Sequence, residues 1–173
     1  MMSEAGSRLS GKVAIITGAG QGIGAAIAES FAAQGCKVLI TGRTQSKLDD
    51  IAGQIAAAGG ICSTLVALAG EMDQSQATVD KAMADWGRVD VLVNNAHTFT
   101  DYLPIEDPKM EANCKIDFQS AFFGSLQLMQ LCFPHMVKQS GGAILNFGSS
   151  YGPRSEPGFL AYSASKEIGR AHV

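Results

Sequence analysis

No stretch of this sequence reaches the roughly 18 consecutive apolar residues that a membrane-spanning helix needs, because charges and glycines interrupt every candidate run. That excludes a transmembrane reading. The four cysteines, Cys36, Cys62, Cys114 and Cys132, show neither CxxC nor Cys/His ligand spacing, and the first residues lack the apolar centre of a secretory signal. Reduced thiols in a cytoplasmic protein follow. With three histidines and no pair at ligand spacing, the chain offers no metal site, and His135 in "PHM" reads as a helix-end residue. Basic residues number 13 against 16 acidic ones and are spread along the chain, so no positive field gathers for a nucleic-acid backbone. Repeats and low-complexity tracts are missing too.

What is present is a single domain's worth of alternating pattern over 173 residues. Short runs rich in β-branched residues, "KVAIIT" (12–17), "KVLIT" (37–41), "ICSTLVAL" (61–68), "VDVLVNNA" (89–96) and "GAILNFGS" (142–149), alternate with longer stretches of helical period. This is the signature of a parallel sheet with crossover helices, an α/β fold. Helices are predicted from about 22 to 34, with Ile23, Ala26, Ile27 and Phe31 toward the sheet and Gly35 as the stop, then 45–58 and 73–85. Across 110–142, Phe122, Leu126, Met129 and Phe133 recur at helical spacing and read as core.

The first strand runs into "TGAGQGIG" (17–24), followed at once by a helix. Gly18, Gly22 and Gly24 let the backbone turn sharply, approach a pyrophosphate closely and pack helix on strand, with amide N–H groups at a positive helix end. A tight turn without ligand is the plainer alternative. The second strand ends in Gly42 and Arg43, where a site for the unphosphorylated dinucleotide would commonly carry an acidic residue. A guanidinium suits a 2′-phosphate, so Arg43 points to NADP(H) over NAD(H), unless it is only a solvated surface arginine.

Near the end, "YSASK" (162–166) puts Tyr162 and Lys166 on one helix face. An ammonium nearby favours a phenolate, which suits a tyrosine that exchanges a proton with a substrate oxygen. Taken together, "TGAGQGIG", "NNA" (94–96), "GSS" (148–150) and "YSASK" resemble, in order and spacing, the short-chain dehydrogenase/reductase (SDR) family from about Leu9 to Arg170.

The resemblance implies a Rossmann-type doubly wound parallel sheet and an oxidoreductase moving a hydride between NADP(H) and a small alcohol or ketone. It makes Tyr162 the general acid/base, Lys166 the holder of the nicotinamide ribose, and Ser149 the hydrogen-bond partner of the substrate oxygen, with Ser150 as fallback. Asn94 and Ala96 would line the adenosine ribose and the sheet edge, Ile23 would lie under the pyrophosphate and nicotinamide, and Glu71 would reach adenine, with Asp73 capping the next helix. A homo-oligomer, tetramer or dimer, is implied as well.

Three departures stand out. His97 follows "NNA" where the family has glycine, and its imidazole either turns outward or adds a substrate-facing donor. Counting along the central helix brings Ala121 to the family's relay asparagine; Ser120 or a water could substitute, with Asn113 and Asp117 nearby on the same stretch. The chain ends at Val173, before the last strands and substrate lid that family members generally have, which implies a C-terminally incomplete domain. A dinucleotide-binding module without turnover is the alternative reading, and epimerase or dehydratase chemistry a third.

Overall fold

The structure is a computed structural model and describes residues 8–167. The first seven residues and residues 168–173, where the sequence places the rest of the Tyr162 segment, lie outside the described residues. Five short strands, β1 (Val13–Ile16), β2 (Lys37–Gly42), β3 (Ile61–Val66), β4 (Val91–Asn94) and β5 (Ala143–Asn146), pair in parallel in the order β3-β2-β1-β4-β5. The central strands β1 and β4 are buried at every residue, as expected of apolar runs covered by helices on both faces.

Alternation along the strands divides the core in two. Ala14, Ile16, Val38, Ile40, Val91 and Val93 face the helices α1 (Gly22–Ala33) and α2 (Gln45–Ala57). Ile15, Leu39 and Leu92 face α3 (Met72–Trp86) and α5 (Gly124–Lys138). Leu92→Ala removes a fully buried side chain at the middle of the second layer, and is expected to lower stability by about 3 kcal/mol. Urea unfolding monitored by circular dichroism measures it; a loss below about 1 kcal/mol would mean that the site is far less packed than described.

The face of α1 differs from the one its periodicity predicts. Gly24, Ala25, Ala28 and Ala32 are the buried residues, Ile27 and Phe31 pack partly at the margin, and Ile23 and Ala26 are exposed. Small side chains let the helix lie close to the sheet, which turns Ile23 outward. The long helix also differs. It consists of α4 (Met110–Asp117), a π-helical turn (Phe118–Phe123) and α5. The wide turn rotates the downstream face, so Leu128, Met129, Cys132 and Met136 are buried while Phe133 is 55% exposed. Burial pushes the Cys132 thiol up to about 12, and those of Cys36 and Cys62 up to about 11, so these thiols stay protonated at neutral pH. The last described helix, α6 (Leu160–Ser165), carries Tyr162.

Candidate active site

From β1 the chain winds outward through β2 to β3 and then returns to place β4 on β1's other side. Ligands of open α/β sheets sit where the strand order reverses, at the carboxyl ends of the strands. There the protein has a cavity of about 410 Å³. Its wall includes Gly22, Ile23, Arg43 and Lys47, the touching pair Gly18 and Ala96, and His97, Tyr162 and Lys166.

The glycine loop is held by the segment after β4. Thr17 Oγ1 accepts the N–H groups of Asn95 and Ala96 at 3.1 and 3.0 Å, and Asn95 Nδ2 donates to the carbonyls of Thr17 and Gly18 at 2.9 and 3.2 Å. The approach is so close that a Cβ on Gly18, whose φ is +66°, would meet Ala96 Cα at 2.9 Å. One on Gly24 would meet the Gly18 carbonyl at 2.7 Å. These two glycines are packing requirements, and Gly24 stands behind the cavity wall. At Gly22, by contrast, a Cβ would meet nothing within 4 Å. The space in front of it belongs to the cavity. Gln21 starts α1 without a side-chain cap, so its first amides face that space unpaired by any side chain.

Asn94 sits elsewhere than expected. Its side chain is buried away from the cavity, donating to Asn146 Oδ1 at 2.8 Å and tying β4 to β5. The neighbour on the cavity wall is Asn95, which the sequence reading passed over although it completes "NNA"; side chains alternate across a strand, so only one of the pair can face the glycine loop. Glu71 is likewise outside the cavity wall. It is the N-cap residue of α3, a position expected for Asp73, which instead lies in the helix's first turn. Near β3 the wall is Ala67, Leu68 and Gln74.

At the far end, Lys166 is 7% exposed, with Nζ 5.9 Å from the centroid of the Tyr162 ring and 3.4 Å from the Phe147 carbonyl, to which it donates. Burial lowers its pKa, and the charge of Asp117 opposes that shift. Thus the central-helix side chain that bears on Lys166 is Asp117, while Ala121 is buried inside the π turn, where its carbonyl accepts from Ser125 Oγ. Counting positions along the chain to Ala121 misses this because it carries no information on which side chain faces α6. The Tyr162 ring is bracketed by Phe99, stacked at 5.9 Å, and His97, edge-on at 5.1 Å. Ser149 is half-buried beside the wall rather than in it, and its Oγ accepts the Tyr151 N–H at 3.1 Å.

This geometry joins an anion-accepting backbone loop to a tyrosine–lysine pair in one cavity, and the family model for short chain dehydrogenases matches residues 12–171. The chain belongs to the short-chain dehydrogenase family. Among curated SDR relatives, it is 34% identical over 161 residues to the 3-oxoacyl-[acyl-carrier-protein] reductase FabG of Thermotoga maritima, covering 92% of this chain and 64% of that protein. It is 32% identical to a 12alpha-hydroxysteroid dehydrogenase of a Clostridium species, covering 91% of this chain and 62% of that one. The chain therefore spans somewhat under two thirds of the length of these relatives. A crystal structure of a metagenomic short-chain oxidoreductase in complex with NADP superposes with TM-score 0.84 at 34% identity, over 91% of this chain and 71% of that one. The SDR chain is an α/β domain with a five-stranded parallel sheet, and no helix among its described residues is long and apolar enough to cross a membrane.

Proposed function

We propose that the protein carrying this SDR chain is an NADP(H)-preferring alcohol dehydrogenase or carbonyl reductase acting on a small alcohol or ketone. The observation that carries this reading is the continuity of the cavity, from the glycine loop and the cations Arg43 and Lys47 to Tyr162 and Lys166. The donor set fits the dinucleotide. Gly22 leaves its side-chain space open before the unpaired amides of α1, Ile23 offers a 61% exposed apolar surface beside them, and two cations stand where β2 ends. Ala96 and Lys166 would flank the riboses, and Leu68 with Ala67 would take the adenine side in place of Glu71.

When bound, the cofactor supplies the hydride. Tyr162 gives its phenolic proton to the carbonyl oxygen in the reducing direction and recovers it in the other. Lys166, held on the Phe147 carbonyl, supplies positive charge beside the phenolate that results. Ser149 keeps its hydroxyl proton free, because its oxygen is the acceptor of the Tyr151 amide, and that proton would meet the charge developing on the substrate oxygen. The direct test is NADPH oxidation by the intact protein over a panel of ketones; no turnover with any of them, under conditions where NADPH binds, would sink this reading.

A second copy of the chain is the proposed partner, in a dimer or tetramer built on α4, the π turn and α5, which leave Ile116, Phe123, Phe133 and Val137 each more than 40% exposed. The double substitution Phe133→Glu and Val137→Glu is expected to lower the mass seen in sedimentation. An unchanged mass in the variant would remove this interface.

A further inference from the structure

Among the described residues, five buried side-chain polar atoms lack a hydrogen-bond partner, and three of them belong to one pair: both ring nitrogens of His97, and Asp117 Oδ1. Folded proteins seldom leave such atoms unpaired, and where they do the site calls for a reason. His97 Nε2 lies 3.3 Å from Asp117 Oδ1, with the two side chains only 3% and 1% exposed. The other carboxylate oxygen, Asp117 Oδ2, accepts from Thr100 Oγ1 at 3.0 Å. Ser120 Oγ accepts the Thr98 N–H at 3.0 Å, which fixes the loop carrying His97 against the π turn. Asp117 is the last residue of α4, and α4 packs directly on α6, the helix of Tyr162. The imidazole in turn meets the Tyr162 ring edge-on. Carboxylate, imidazole and phenol thus stand in file, with the imidazole and phenol on the cavity wall and the carboxylate off it.

We propose that His97 and Asp117 are a positioning pair for Tyr162 and Lys166, in which His97 fixes the Asp117 carboxylate and that carboxylate is the counter-charge of the buried Lys166 ammonium. The proposal rests on the reading of Tyr162 and Lys166 as the reacting groups. Without a counter-charge, an ammonium buried this deeply favours its neutral form, and Asp117 acts against that tendency. The other titratable groups around Lys166 are His97 on the loop after β4, Tyr162 on its own helix, Tyr151 near that ring at 6.5 Å, and the neighbouring exposed Glu167 over Gly152. Against these, Asp117 is the buried carboxylate, while Glu167 is exposed.

The test follows the Lys166 side chain itself. In the intact protein labelled with ¹³C at the lysine ε carbons, the Lys166 resonance is assigned through Lys166→Arg and titrated with pH. Asp117→Asn is expected to move that titration to lower pH, Asp117→Glu to return it toward the native position, and His97→Gln to move it in the same direction as Asp117→Asn. A Lys166 resonance that titrates at an unchanged or higher pH in a folded Asp117→Asn protein overturns the proposal. So does a Glu variant indistinguishable from the Asn one. If Asp117→Asn does not fold, the sign of the His97→Gln shift decides alone. Because the resonance needs no turnover, a protein that reduces no ketone would refute the oxidoreductase reading separately.

Discussion

Tyr162→Phe is expected to lower kcat for ketone reduction by about 10²–10⁴-fold while leaving the fold and NADPH affinity close to native. The substitution removes one oxygen and keeps the ring, so the stacking on Phe99, the edge contact with His97 and the flanking by Phe159 survive. What is lost is the only tyrosine hydroxyl on the cavity wall among the described residues, with the Lys166 ammonium held close to the same ring. Lys166 remains held on the Phe147 carbonyl at 3.4 Å and keeps its charge beside the ring, but the phenolic donor is gone. Steady-state rates together with calorimetric titration of NADPH separate the two effects. Equal rates in the native and Phe proteins would eliminate Tyr162 as the proton donor; a parallel collapse of NADPH binding would reassign it to holding the cofactor.

Much of this arrangement was legible because its signals are local. The glycine loop declares itself by three small residues between a strand and a helix, and the strands by β-branched runs, and both lie where the periods put them. Side-chain direction is a different matter. Nothing local says which of Asn94 and Asn95 faces Thr17, since that depends on how β4 registers against β1 and β5. Nor does the apolar period of α1 reveal that its alanines, rather than its larger residues, press on the sheet, because the distance between helix and sheet is set by the whole layer. The π turn at Phe118–Phe123 is the deepest omission. A count along the chain does not say which side each residue faces, and the group that bears on Lys166 is Asp117, just before that turn, while Ala121 is buried within it. His97 was visible as an unusual residue, but its partner lies across the fold on α4, where sequence spacing carries no information.

Replacing Arg43 by aspartate and Lys47 by alanine is expected to reverse the proposed cofactor preference, shifting the NADPH-to-NADH affinity ratio by about 100-fold or more. Both cations wall the end of the cavity beyond β2, and both are exposed, with the Lys47 ammonium tethered by a hydrogen bond to the side chain of Gln21 on the glycine loop. A phosphate on the adenosine ribose would take paired hydrogen bonds from the guanidinium and a point charge from the ammonium. Exposure to solvent keeps each of these near the lower end of the range for charged hydrogen bonds, about tenfold apiece, and makes them sensitive to salt. The aspartate adds repulsion toward that phosphate and an acceptor suited to unphosphorylated ribose hydroxyls, so the NADH affinity rises as the NADPH affinity falls. Gly42 is kept in the variant, since a Cβ there would meet Leu48 Cδ2 at 3.3 Å. Calorimetric titrations of both cofactors at two ionic strengths give the ratio directly, and the proposed preference for NADPH is expected to narrow as salt rises. A native protein that binds NADH as tightly as NADPH, or a double variant with an unaltered ratio, would remove Arg43 and Lys47 from the phosphate site.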